Sequence, residues 1–472
     1  MKKFFLFLLS IIVLSCCVVV AGLKLDYITK NDVRNVIDKI YKKTATSGEK
    51  VSKKVGDTLE QTKSGIQEQI RQQIDKKPRE VKIVATLGKE GWKNIPSYCE
   101  NGANIFRING SHIKSEKQLQ EMLDGIKNYI NDPKCKNAEI MYDTQGPEIR
   151  ILINSSNTKN VKNKKIKKVV AQYQVKSGDN IVLHTNLADK EINFVKDPVR
   201  DNGQNKTIHA GVNYKEFLND VKENMTITIE NRIVYAKVEN IDLEKGLVKL
   251  VITEVNTKDG NYKLSDRRHI NLIGKPVSQE TLTIADKKYI QMSVLNGVNY
   301  YAISFVRNKD DIQEVKNIIK QTLLLNNSKM SEEEMSKKMN EIKVIAKFET
   351  QQGMDNIDDI LNVAEGGMIA RGDLGAEIAF EEVPYATFKI MKVCEEKNKF
   401  SILATDVLLS LFENDMVSRN DAYVIACSLN KGIDAIMLSN ETSVDVNKGN
   451  KSIKELKKHI DYYNKRKANK DY

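Results

Sequence analysis

Nine polar side chains sit at the closing positions of short apolar runs: Arg107 and Asn109, Asp143 and Thr144, Lys347 and Glu349, Arg371 and Asp373, and Thr405. A single charge at such a position is more often half of a loop salt bridge than a catalyst. Acids, cations and a hydroxyl distributed over five run ends point instead to one shared site. Carboxylates arriving from separate run ends can hold Mg²⁺ while leaving coordination positions for phosphate and substrate oxygens. Arginine and lysine beside them would offset the charge of a phosphoryl group in transfer.

Such a constellation needs elements that deliver each residue to the same place. From residue 81 onward, apolar runs of strand type alternate with helical patterns, as expected for βα units in a parallel sheet. The strand-like runs are VKIVATLG (81–88), ANIFRIN (103–109), AEIMYDT (138–144), NYYAISFV (299–306), KVIAKFE (343–349), GGMIARGD (366–373), SILATDV (401–407) and DAIMLSN (434–440). Eight units predict an α/β fold, a (β/α)8 TIM barrel, with its site at the C-terminal ends of the strands. Residues 153–271 interrupt this rhythm with alternating segments such as TITIENRIVYAKVEN, and read as an all-β lid domain inserted after the third strand. The barrel domain is therefore expected to comprise 81–152 and 272–472. A basic run from Lys159 to Lys168, near the start of the insertion, reads as a solvated loop rather than a phosphate site.

At the level of motifs the chain resembles pyruvate kinases over about residues 80–460. RINGSH (107–112) is similar to the family's R-x-N-F-S-H, DTQGPEIR (143–150) to D-T-K-G-P-E-I-R, and SFVR (304–307) to S-F-[IV]-R. AKFET (346–350) resembles the segment around K-I-E-N, IARGDLGAEI (369–378) resembles A-R-G-D-L-G-x-E-I, and IMLSNET (436–442) resembles I-M-L-S-G-E-T. The resemblance implies transfer of a phosphoryl group from phosphoenolpyruvate to ADP, with Mg²⁺ (or Mn²⁺) and K⁺. It further implies that Glu349 and Asp373 hold the divalent ion, and that Asn109, Ser111, Asp143 and Thr144 form the monovalent site, with Glu148 at the position linked to K⁺ dependence. Arg107 and Lys347 would stabilise the phosphoryl group and the enolate oxygen. The backbone at Arg371, Gly372 and Asp373 would receive the substrate carboxylate, Thr405 would serve proton delivery, and His112, Arg150 and Arg268 would lie on the nucleotide side.

Several positions depart from the family pattern. Gln145 stands where D-T-K-G has Lys, Arg268 and His269 where the lid has Lys-Gly, Asp406 where Gln follows the Thr, and Val417 with Ser418 where Pro-Thr precedes Arg419. The sequence also closes near the barrel's last helix, so regulation by sugar phosphate through the family's C-terminal domain is not expected. A homo-oligomer is compatible with the reading; a tetramer is not assumed. These departures sustain a second reading, a weakened or inactive homologue acting as a secreted or membrane-attached binding protein, because a fold by itself does not fix an activity.

The rest of the composition mostly excludes. A net charge of +12 with one Trp, and with Lys dispersed rather than clustered, leaves no nucleic-acid footprint. The six cysteines, at 16, 17, 99, 135, 394 and 427, contain no CxxC and have no histidine at zinc spacing. No disulfide framework is apparent, and the body reads as suited to a reducing compartment, although four body cysteines leave room for a bridge. Residues 1–23 read as a signal peptide or a membrane anchor, the apolar run Phe4 to Leu23 being just long enough to span a bilayer. With Lys24, Lys30, Arg34, Lys39, Lys42 and Lys43 following it, an uncleaved anchor would keep the body cytoplasmic. Residues 24–80 read as a charged, partly helical linker carrying a thin stripe from Val51 to Ile74. Their acid content speaks against a transit peptide, so the expected location is membrane-associated or secreted, with organelle targeting as the alternative.

Overall fold

The computed structural model describes residues 80–153, 172–185, 199–201, 205–230, 232–273 and 278–469. The N-terminal apolar run, nearly all of the linker and the Lys159–Lys168 run lie outside the described residues. Among those described, no helix is long and apolar enough to cross a membrane. Arg79–Arg466 forms one compact unit; a second unit, Met1–Pro78 with Lys467–Tyr472, contributes only 467–469 to the described residues.

Eight parallel strands close into a barrel: β1 (Lys82–Thr86), β2 (Ile105–Asn109), β3 (Glu139–Asp143), β4 (Tyr300–Ile303), β5 (Lys343–Phe348), β6 (Gly366–Ala370), β7 (Phe400–Ala404) and β8 (Ala435–Leu438), with β1 pairing both β2 and β8. Each arises from an apolar run because both of its faces are buried. Val84, Ile105, Met141, Tyr300, Ala302, Ile345, Met368 and Ile402 fill the interior, while Ile83, Phe106, Tyr142, Tyr301 and Ile369 pack outward under the helices. The lower end is closed by polar groups: Lys82 pairs with Glu139, and the Tyr300 hydroxyl donates to Glu139 and accepts from Lys343 at 3.1 Å.

Helix α1 (Ile95–Asn101) and helix α2 (Glu116–Ile130) cover the β1–β3 side. The N-cap of α2 is Ser115, whose hydroxyl accepts from the Gln118 N–H at 3.2 Å, and its buried stripe of Leu119, Met122, Leu123 and Ile126 follows helical spacing. Gly125 lets the only Trp of the chain, Trp92, lie directly on this helix, since a Cβ there would come within 2.5 Å of the indole.

The packing of α1 on α2 uses the room that the four body cysteines leave for a bridge. Cys99 at the end of α1 is bridged to Cys135 in the loop after α2, across a sequence separation of 36. Spacing carried no motif for it; the bridge follows from helices that become neighbours only once the barrel forms. Cys394 is buried with a free thiol. Replacing Cys99 by Ser is expected to lower unfolding free energy by about 2–4 kcal/mol. Urea midpoints that match between variant and oxidised wild type would contradict this.

The insertion forms an eight-stranded sheet. Its order runs from Ile270–Leu272 through Thr226–Ile229, Val234–Asp242, Leu247–Val255, Asn180–His184 and Asn205–Val212 to Ile151–Leu152, with Val199–Asp201 pairing on Asn205–Val212. Gln172–Lys176 and Asn261–Ser265 make a separate pair. Ile151 and Leu152, expected in the barrel, thus pair inside this sheet, as does Leu272. Its own core includes Ile181, Leu183, Ile227, Val234, Leu250 and Phe217. Arg232 fastens it to the barrel by donating to the carbonyls of Ala376 (3.2 Å) and Ile378, at the C-terminal end of helix Arg371–Glu377. Those end carbonyls lack helical partners and attract a cation.

Candidate active site

The upper rim of the barrel gathers the charged strand ends. β2 and β3 are in register with Asn109 opposite Asp143, which brings the Arg107 side chain to the third strand. Arg107 Nε donates to Asp143 Oδ2 at 2.7 Å and its Nη1 to Thr86 Oγ1 at 3.0 Å. Lys347 approaches from β5, with Nζ 3.0 Å from Asp143 Oδ1, 2.9 Å from Glu349 Oε1 and 2.7 Å from Ser304 Oγ. Ser304 is itself locked to Thr144, donating to its carbonyl at 2.7 Å while its N–H donates to Thr144 Oγ1 at 2.9 Å. The Phe305 N–H donates to Glu349 Oε2 at 2.7 Å. The ends of five barrel strands, β1 to β5, therefore share one buried network of alternating charge.

Burial is the largest influence on Asp143, Lys347, Glu349 and Asp373, and its outcome depends on the neighbours. Burial acts to raise the Asp143 carboxyl, but Arg107 and Lys347 together overcome that and hold it below the ordinary range. Burial acts to lower Lys347, and Asp143 with Glu349 more than offsets it, so the ammonium stays charged. Glu349 is less compensated. Burial with the neighbouring Asp373 charge pushes it up to about 7 in spite of Lys347. Asp373 is likewise raised, by burial first.

Two carboxylates held together with a shortage of positive charge form a donor set that fits a hard divalent cation. Glu349 and Asp373 are thus the residues that would hold one. Asn109, Ser111, Asp143 and Thr144 share the β2–β3 corner and offer only oxygen donors. Asp143 already commits both oxygens to Arg107 and Lys347, and Asn109 Oδ1 accepts from the Ser111 N–H at 3.2 Å.

The remaining predicted residues divide. Helix Arg371–Glu377 starts directly after β6, so the last three residues expected in that strand instead open a helix. The Arg371 guanidinium turns to β7, donating to the carbonyls of Ala404 (3.1 Å) and Thr405. Thr405 follows the strand in a left-handed conformation (φ 66°), as do Asp406 and Leu408, and it packs on Gly372, where a Cβ would stand 3.0 Å from its methyl group. His112 reaches Asn440 beyond β8, with Nε2 and Nδ2 3.3 Å apart, and burial lowers its pKa. Arg150 pairs with Glu148 and donates to the Arg267 carbonyl at 2.6 Å. The Arg268 side chain belongs to the insertion, held by Ser265 Oγ at 2.7 Å and Glu230 at 2.9 Å.

Sequence reasoning passed over Ser304, Thr86 and His269. SFVR was visible as a motif, but Ser304 and Thr86 lie inside the runs 299–306 and 81–88 and come to the rim only because the strands end earlier, at Ile303 and Thr86. Gly110 has a clear task as well, because a Cβ there would meet the Asp143 carbonyl at 2.6 Å and the Tyr142 hydroxyl at 2.8 Å. Gly110→Ala is expected to cost about 1–3 kcal/mol by pushing β3 off its register. A thermal midpoint equal to wild type would show that the strand end yields freely.

The pyruvate kinase barrel-domain family model matches residues 78–450. The chain belongs to the pyruvate kinase family. Among relatives, the pyruvate kinase of Sporosarcina psychrophila is 30% identical over 370 residues, covering 78% of this chain and 54% of that protein. The pyruvate kinase of Thermotoga maritima is 31% identical over 371 residues, covering 78% of this chain and 67% of its own. Plastidial pyruvate kinase 3 of Arabidopsis thaliana is 30% identical over 367 residues, covering 77% and 55%. The chain thus spans about half the length of the first and third of these relatives. Family membership agrees with the closed eight-stranded barrel and its inserted sheet.

Proposed function

We propose that this chain is a pyruvate kinase-type phosphotransferase that moves the phosphoryl group of phosphoenolpyruvate to ADP. The observation that carries this reading is Lys347, buried yet cationic, with its ammonium within 3.0 Å of Asp143, Glu349 and Ser304. A fixed charge in a water-poor site stabilises charge that develops in the transition state without reorganisation at that moment. Arg107, oriented by Asp143 and Thr86, adds a second positive charge beside it. A divalent ion held by Glu349 and Asp373 would supply Lewis-acid polarisation of phosphate and enolate oxygens.

The chain's own groups do the rest. Lys347 and Arg107 bind the phosphoryl oxygens and the enolate oxygen left when the phosphoryl group departs. The first N–H groups of helix Arg371–Glu377 have no helical acceptors and receive the substrate carboxylate. Thr405, packed against Gly372, would deliver the proton to the enolate carbon. The inserted domain, fastened through Arg232, excludes water as a lid.

Purified protein supplied with phosphoenolpyruvate, ADP, Mg²⁺ and K⁺ should yield pyruvate and ATP in a lactate dehydrogenase-linked assay. No turnover, together with no metal-dependent binding of phosphoenolpyruvate, would refute the reading. Because burial raises the Glu349 carboxyl well above the ordinary range, protons compete with the ion. Divalent-ion affinity is therefore expected to fall as pH drops from 8 to 6, at most about tenfold per unit below pH 7. A flat Mn²⁺ titration across that range would contradict it.

One observation supports the alternative of a binding protein with little turnover. Arg150 and Arg268, the expected nucleotide cations, are engaged by Glu148 and Glu230. A high KM for ADP with normal phosphoenolpyruvate binding is the result that would favour it.

A further inference from the structure

Asp373 faces the inserted sheet as well as the barrel network. From that side His269 brings Nδ1 to 3.8 Å from Asp373 Oδ1, with only 13% of the histidine side chain exposed. Its ring stands edge-on to Phe305, at 6.2 Å between centroids, and the Phe305 N–H is the group that holds Glu349. The His269 backbone is fixed on two sides, by a bridge to Arg150 and by its carbonyl accepting the Glu230 N–H at 3.0 Å. The imidazole is therefore set against the carboxylate pair by the hinge of the insertion.

A separation of 3.8 Å is too long for a hydrogen bond. It suits two donors that share an ion, since ligands each about 2.1 Å from a metal can stand up to about 4.2 Å apart. Among the described residues no three acid, histidine or cysteine side chains already converge as a finished metal group. The nitrogen would thus close on the ion rather than wait in a preformed cage. The family pattern has Gly where His269 stands, and Gly offers no donor at all.

We propose that His269 supplies a nitrogen donor to the divalent ion held by Glu349 and Asp373, making an oxygen–oxygen–nitrogen site that prefers Mn²⁺ or Co²⁺ to Mg²⁺. The inference rests on the reading of Glu349 and Asp373 as the metal-holding pair. Mg²⁺ takes oxygen ligands and keeps its waters, whereas imidazole suits later divalent ions. The inserted domain then becomes a ligand-bearing part of the site, and ion occupancy is linked to where the domain sits.

The test uses the full chain freed of metal and titrated with Mn²⁺, with bound ion followed by electron paramagnetic resonance. Pulsed measurements on wild type should show ¹⁴N coupling from a directly bound imidazole, and both His269→Gln and His269→Gly should lose it. In both variants Mn²⁺ affinity should fall about tenfold or more, against less than about twofold for Mg²⁺. Absence of the nitrogen signal in wild type would overturn the proposal, as would equal weakening of both ions, which marks a merely structural role. Glu349→Gln separates the two layers of the argument. If that variant loses the ion while wild type lacks the nitrogen signal, only the His269 assignment fails; if it binds Mn²⁺ as tightly as wild type, the carboxylate reading fails with it.

Discussion

Lys347→Met is expected to lower kcat about a thousandfold, roughly 4 kcal/mol of barrier, while leaving the barrel assembled. The ammonium contacts three strand ends at once, so no neighbouring cation can take its place. Arg107 is committed to Asp143 and Thr86 on the opposite side. The substitution also leaves Glu349 without its cation in a site where burial has already pushed it up to about 7. Glu349 should then protonate more readily, and divalent-ion binding at neutral pH should weaken along with turnover. Lys347→Arg is not expected to rescue, because a planar fork does not fit a pocket shaped for a point charge. Linked-assay kinetics and circular dichroism melts on the same preparation decide the matter. Retention of more than about a tenth of wild-type kcat would mean that catalysis does not pass through this residue.

Asp143→Asn should have the larger effect on stability, about 3–5 kcal/mol. The shape is kept, but the negative charge between Arg107 and Lys347 is removed, and two buried cations then face one another with Glu349 as the remaining acid of the network. The urea midpoint measures this directly. The double variant with Lys347→Met should lose less than the sum of the two single losses, since each change relieves part of the charge imbalance left by the other. Strict additivity would mean that the two side chains act independently despite their 3.0 Å contact.

The barrel was legible because parallel strands buried on both faces must be written as continuous apolar runs: seven of the eight expected runs contain an observed strand whole, and the run 401–407 overlaps Phe400–Ala404, which starts one residue earlier. Their ends were less legible. GGMIARGD stops being strand at Ala370 because Arg371 already begins a helix, and SILATDV stops at Ala404 because Thr405 and Asp406 turn into left-handed backbone. Arg107, Asp143, Lys347 and Glu349 could be singled out because their run-end positions carry charge that a buried strand otherwise avoids. Their mutual pairing could not, since it depends on register between strands far apart in sequence.

Other pairings were hidden for a different reason. Arg150 and Arg268 stand at the positions the resemblance assigns to the nucleotide side, and their partners Glu148 and Glu230 are set by the hinge between the barrel and the inserted sheet. His269 was noted only as a departure from Gly, because nothing local says that antiparallel pairing in the insertion will carry it to Asp373. The Cys99–Cys135 bridge was hidden in the same way, by a sequence separation of 36.

Trp92, laid on Gly125 of α2, gives the protein an optical asymmetry. It is the chain's one indole, and its immediate surroundings are barrel helix. Its emission should follow loss of packing on the β1–β3 side, while Tyr173, Tyr214 and Tyr262 sense the inserted domain. If the insertion melts before the barrel, tyrosine absorbance will change at a denaturant concentration where tryptophan fluorescence is still native. The two traces will coincide only if the two cores unfold as one cooperative body.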